Sequence, residues 1–93
     1  MTAQHYQQKP GVHVRQIDDQ AFLADPDTDV LFHLNPVGTA VWRLLEQPTT
    51  AKDIVNLLVE AFPDAGREQI TSDVSSLLDQ LSHNGLTSVT GIT

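Results

Sequence analysis

His5, His13, His33 and His83 are the side chains best suited to acid–base or metal chemistry, and their spacing supports neither. No pair stands at HxH or HxxxH separation, the spacings that put two imidazoles on one face of a strand or of a helix. His5 lies in a polar stretch. His83 falls at a helix end, where an imidazolium meets the negative pole of the helix dipole. Asp25-x-Asp27-x-Asp29 imitates the opening of a calcium loop. An EF-hand loop wants Gly at its sixth position and Glu at its twelfth, and this chain has Val30 and Pro36 there. DPDTD is therefore read as a turn. With no cysteine, no Gly-rich phosphate loop and no nucleophile set beside a base, no metal or cofactor is expected, and the chain reads as non-catalytic.

A binding role remains, and charge narrows it. The formal net charge is −7 over 93 residues, with the acidic excess in both halves. Such a chain repels phosphate backbones, so nucleic acid is not the expected partner. No apolar run is long enough to span a bilayer. The N-terminus MTAQHYQQKPG has no signal-peptide core, which points to a cytoplasmic protein.

The elements that would carry a binding surface follow from periodicity. Residues 1–11 are polar and end in Pro10-Gly11, which predicts a flexible arm. A domain is expected over 12–89 and a flexible tail over 90–93. Residues 12–17, 21–24 and 30–34 read as three short strands, the last two joined across DPDTD as a hairpin. In the third, Val30, Phe32 and Leu34 share one face and Leu31 and His33 the other. Asn35-Pro36 marks a change of period, Asn as N-cap and Pro at the first helical position. Val37, Ala40, Val41, Leu44 and Leu45 then recur with helical spacing, with Trp42 on their shoulder. Thr49 or Thr50 caps a second helix with Ile54, Leu57, Leu58, Ala61 and Phe62 as its buried stripe. A third helix spans about Glu68 to His83, with Ile70, Val74, Leu77, Leu78 and Leu81 inward and Asn84-Gly85 as its stop. A short strand over Leu86 to Val89 is the last element. The class is α+β: a three-stranded antiparallel sheet followed by three helices, the second and third able to form a helix-turn-helix.

Two binding modes suit this arrangement. A helix-turn-helix invites a DNA-binding regulator, but the third helix carries Arg67 against Glu68, Asp73 and Asp79, the wrong sign for a major groove. The other mode is capture of an extended peptide by an exposed sheet edge. A docking subunit of a larger enzyme is a third reading.

The succession V-L-F-H-L-N-x-x-G-x-x-V-W-x-L-L (Val30 to Leu45), T-x-x-D-I-V (Thr50 to Val55) and I-x-x-D-V-x-x-L-L-x-x-L-x-x-x-G-L (Ile70 to Leu86) resembles the PqqD family. These small domains are named after a protein of pyrroloquinoline quinone biosynthesis. They are the prototype of elements that recognise leader peptides of ribosomally made, post-translationally modified peptides. The resemblance spans roughly residues 12–89. It implies a winged helix-turn-helix-like fold in which a leader pairs with the third strand and lies against the third helix. Carried over, Val30, Leu31, Phe32, His33 and Leu34 supply the edge and Asp73 stands on the third helix. Ser76, Leu77 and Gln80 are inferred as the groove wall. Phe32, Leu34, Asn35, Gly38 and Trp42 also fit structural roles. The implied partners are a precursor peptide and a modifying enzyme, a radical S-adenosylmethionine enzyme or a leader protease. Quinone-pathway members carry an apolar-Tyr-Pro-Glu-Gly-like approach to the third strand, where this chain has ADPDTDV, so another peptide pathway is favoured. A homodimer formed by domain swapping is a further option.

In a gel shift at low salt the domain is expected to leave duplex DNA unretarded. Retention that disappears steeply with added salt would restore the DNA-binding reading.

Overall fold

The structure, a computed structural model, describes residues 4–91. Four strands come first: β1 (Gln4–Gln8), β2 (His13–Ile17), β3 (Gln20–Asp25) and β4 (Val30–Leu34). Three helices follow, α1 (Pro36–Leu44), α2 (Ala51–Ala61) and α3 (Arg67–His83), and then β5 (Thr87–Gly91). Strands β2, β3 and β4 form an antiparallel sheet in that order. This is the expected α+β, winged helix-turn-helix-like arrangement, to which β1 and β5 add a second, two-stranded antiparallel sheet.

Aspartates turn both corners of the larger sheet. Asp18, in the two-residue turn between β2 and β3, and Asp29, before β4, adopt left-handed backbone with φ of 56° and 58°. Asp is one of the few residues besides Gly that tolerates this region. Asp25 Oδ1 accepts from the Asp27 amide at 3.0 Å, and the Asp25 carbonyl accepts from the Asp29 amide at 2.8 Å. The turn reading of DPDTD thus has its hydrogen bonds.

The helix boundaries follow their caps. Asn35 Oδ1 accepts from the Gly38 amide at 2.7 Å with Pro36 at the helix start, and Thr50 Oγ1 accepts from the Asp53 amide at 3.2 Å. At the end of α3, Gly85 takes φ of 71°, its amide reaches the Ser82 carbonyl at 3.1 Å, and the Leu86 amide reaches Leu81 at 2.9 Å. That pair of bonds is the Schellman motif, with Leu81 and Leu86 both buried as its apolar contact. The core joins Ala21, Leu23 and Leu34 of the sheet to Val41, Trp42 and Leu45, then to Ile54 and Leu58 of α2 and Ile70, Val74 and Leu78 of α3.

Three expectations need correction. First, the stretch 1–11 is no loose arm from Gln4 onward: β1 pairs with β5 and also bonds the α1–α2 connection, with the Tyr6 amide 2.8 Å from the Thr49 carbonyl. Gln8 and Lys9 donate their amides to the carbonyls of Leu45 and Leu86. These are main-chain bonds, which hydrophobic patterning cannot register. Second, Thr90 and Gly91 belong to β5 rather than to a flexible tail. Residues 1–3 and 92–93, parts of the expected arm and tail, lie outside the described residues. Third, the buried stripe of α2 is Ile54, Val55 and Leu58 with Val59 and Phe62 partly covered, while Leu57 and Ala61 face solvent. Both sets satisfy a 3.6-residue period, and packing against α3 selects the first. Trp42, on the shoulder of the α1 stripe, is in the core, the structural role that the resemblance implies.

An ion pair pins the N-terminal segment to the sheet. Lys9 Nζ lies 2.6 Å from Oδ2 of Asp25, whose side chain is almost wholly buried, and 3.7 Å from Asp27. The Lys9 hydrogen bond holds the Asp25 carboxyl below its usual value against the opposing effect of burial, helped by the Asp27 amide. The same bond raises Lys9. Asp25 therefore contributes stability that is complete above about pH 4 and disappears as pH falls through its lowered pKa. Lys9 contributes below about pH 10, and its share is lost as pH rises through the raised value. Lys9→Met strands a buried carboxylate. In urea unfolding, the stability gap between wild type and this variant should be widest near pH 7. It should narrow as pH drops below about 4 and Asp25 is neutralised.

Candidate functional site

Strand β4 is an edge of its sheet: it pairs with β3 and, among the described residues, with nothing on its other side. Register decides which main-chain groups face outward. Ile17 and Gln20 flank the two-residue Asp18-Asp19 turn, which makes them the hydrogen-bonded pair of that hairpin. Such pairs alternate along an antiparallel ladder. Gln20, Phe22 and Ala24 therefore direct their main-chain groups to β2, and Ala21, Leu23 and Asp25 direct theirs to β4. The partners of the second set are Leu34, Phe32 and Val30. By elimination, the N–H and C=O of Leu31 and His33 point away from the sheet, along the open edge.

The side chains of β4 sort as expected. Leu34 is in the core, Val30 and Phe32 are half-buried against it, and Leu31 stands 74% exposed on the far face. The His33 ring lies on that far face, 4.9 Å from the Phe22 ring centroid, with Nε2 donating to Gln20 Oε1 at 2.7 Å. His33 thus reaches the open edge with its main chain.

Beside this edge lies a groove of about 290 Å³ between β4, the start of α1 and one face of α3. Its lining comprises Phe32, His33, Leu34 and Asn35, then Val37 and Gly38 of α1, and Asp73, Ser76, Leu77 and Gln80 of α3. The α3 residues recur at i, i+3, i+4 and i+7, one helical stripe adjacent to the core stripe of Ile70, Val74 and Leu78. Leu77 belongs to both surfaces, being half-buried against the core. Gly38 keeps the inner end tight: a Cβ there would stand 3.2 Å from Leu34 Cδ2 and from Asn35 Oδ1.

Of the residues singled out in the sequence, the fold brings Phe32, His33, Leu34, Asp73, Ser76, Leu77 and Gln80 to one groove. Val30 and Leu31 lie farther along β4, outside it. By type and spacing Asn35, Val37 and Gly38 are cap, core and packing residues, and spacing gives no sign of their place in the lining. The signal that was available was their position at the strand–helix joint. Two side-chain hydrogen bonds run along the α3 side of the groove. Gln69 Nε2 donates to Asp73 Oδ1 at 2.9 Å and Gln80 Nε2 to Ser76 Oγ at 3.2 Å. Among the described residues no cluster of three metal-ligating side chains forms, and no helix is long and apolar enough to cross a membrane. An apolar floor, a polar helical rim and unpaired strand amides and carbonyls suit an extended main chain.

Comparison with known proteins bears on this geometry. The family model for coenzyme PQQ synthesis protein D (PqqD) matches residues 20–86, which contain β3, β4 and all three helices. No curated protein sequence matches. The solved structure of TbiB1 in complex with the TbiA(beta) leader peptide is similar with a TM-score of 0.76 at 26% identity, over 88% of this chain and 94% of that one. The solution NMR structure of the PqqD truncation of Methylobacterium extorquens PqqCD, a stand-alone recognition element for ribosomally synthesised and post-translationally modified peptides, gives a TM-score of 0.71. That match is 22% identical over 90% of this chain and 88% of the other, a likeness of fold.

The ladder assignment can be checked by proline substitution. Leu31→Pro and His33→Pro remove amides that have no ladder partner and should leave a folded domain with little change in urea midpoint. Phe32→Pro removes a ladder donor, strands the buried Leu23 carbonyl and should cost roughly 1–3 kcal/mol or more.

Proposed function

The chain belongs to the PqqD family, and from that premise we propose that it is a non-catalytic peptide chaperone. It binds the leader of a ribosomally made precursor peptide by strand addition to β4 and presents the remainder to a modifying enzyme. The observation that carries this reading is the coincidence of an open strand edge with a groove. The main-chain groups of Leu31 and His33 offer the pairing, and Phe32, Leu34 and Leu77 offer an apolar floor beside it. Backbone pairing supplies affinity for any extended segment, and the groove then selects among side chains. The leader-bound structure of TbiB1, similar over most of both chains, supports the same assignment.

The enzyme served is a radical S-adenosylmethionine protein or a leader protease. The segment ADPDTDV before β4 favours a pathway other than pyrroloquinoline quinone synthesis. In this chain that segment supplies Asp25, the anchor of Lys9, so its departure from the quinone-pathway pattern has a structural use here.

The test is titration with the leader peptide of a precursor encoded beside this chain. Binding is expected at micromolar affinity or tighter, with amide shifts concentrated in β4 and along the Asp73–Gln80 stripe. Leu31→Pro and His33→Pro should weaken it by about tenfold or more while the domain stays folded. Unchanged affinity in a folded proline variant would exclude strand addition at this edge.

A further inference from the structure

The groove carries charge of one sign only, and from this we infer which peptides it takes. The favoured strand presents a Lys or Arg and an apolar side chain to the groove two residues apart, in either order. This deepens the peptide-binding reading above and rests on it.

Among the described residues, Asp73 is the only Lys, Arg, Asp or Glu in the lining. Its i±3 and i±4 neighbours on α3 are Gln69, Ile70, Ser76 and Leu77, so no cation is placed to reach it along the helix. The one basic residue within α3 apart from His83 is Arg67, which donates to Asn56 Oδ1 at 3.1 Å. The ion pairs among the described residues involve Lys9 with Asp25 and Asp27 and leave Asp73 out. Gln69 occupies Oδ1 of Asp73, and Oδ2 has no donor among the described residues. An apolar segment laid over this carboxylate would strip its water and return nothing. A guanidinium or ammonium from the peptide would instead make a charge-assisted hydrogen bond. The net charge of −7 further draws a basic peptide toward the site.

The spacing follows from the pleat. Side chains of an added strand alternate between the two faces of the sheet, and only those on the face shared with Phe32 and Leu34 point toward α3. The groove meets β4 on that face at Phe32 and Leu34 alone, two residues apart. Two inner-face positions of the peptide therefore enter it, also two residues apart, about 6.6–6.8 Å. One is served by Asp73 and the other by the apolar floor of Phe32, Leu34 and Leu77, to which Val37 adds. An odd spacing would send one of the two side chains to the far face, beside Leu31 and the His33 ring. The rule holds for either direction of the peptide, because alternation does not depend on strand polarity.

The experiment is selection of a random twelve-residue display library on the immobilised domain, followed by synthesis of the enriched peptide. Enrichment of Lys or Arg two residues from an apolar residue is expected. Replacing that basic residue by Gln should weaken binding about three- to tenfold at low salt, and less at 0.5 M NaCl. Asp73→Asn, an exposed change that spares the core, should cost the same factor, with no further loss when combined with the peptide change. Asp73→Lys should redirect enrichment to Asp or Glu. Peptides whose binding is lost in Leu31→Pro but which show no basic preference, or show it at any offset other than two, would overturn the inference and leave the peptide-binding reading standing. No enriched peptide on the wild-type domain would overturn both.

Discussion

Strand β4 has to be held firmly on one face and left unpaired along one edge, and most of the fold serves that pair of demands. An edge strand is a hazard when its side chains do not fix it, because a slip of one residue exchanges its two faces. Here Leu34 is sunk in the core, Phe32 and Val30 lean on it, and the register with β3 is set by turns at both ends of that strand. With the inner face anchored, alternation leaves the amides and carbonyls of Leu31 and His33 facing outward. The same pleat that buries Leu34 therefore creates the open edge.

The joint after the strand converts this edge into a groove. Chain direction changes between Leu34 and Pro36, and Asn35 satisfies an amide of the new helix within that short distance. Gly38 lets α1 approach Leu34 closely, which forms the inner end of the groove. The far wall is the stripe of α3 adjacent to its buried stripe, so burial of Ile70, Val74 and Leu78 also fixes where Asp73, Ser76 and Gln80 stand. Core packing and site geometry are two sides of one helix. The N-terminal segment completes the frame by a different means. It contributes few apolar side chains and is held by main-chain pairing to β5, by bonds to the α1–α2 connection, and by Lys9 on the buried Asp25.

Local patterns in the sequence were sufficient for β2, β3, β4, the three helices and the caps at Asn35, Thr50 and Gly85, because each has a period or a capping residue of its own. Asn35, Thr50 and Gly85 perform the tasks their residue types suggest. Resemblance of three spaced motifs to the PqqD family led to the same stretch of α3 that the fold sets beside β4. Patterns failed where the stabilising partner is distant. Nothing near Gln4–Gln8 announces β5, more than seventy residues away in the chain. Lys9 and Asp25 carry no mark of each other. On α2, Val55 and Leu57 are equally good apolar candidates, and only the position of α3 decides between them.

What the sequence determined by itself was therefore the identity of the elements and the two faces of β4, since periodicity and capping are properties of neighbouring residues. What the tertiary structure decided was that β4 is an edge with a groove beside it, and that Asp73 is the only Lys, Arg, Asp or Glu among the described residues lining that groove. Those are relations between segments some forty residues apart. They exist only once the core has brought β4 and α3 together, because the apolar contacts that do so are non-directional and leave no local signature.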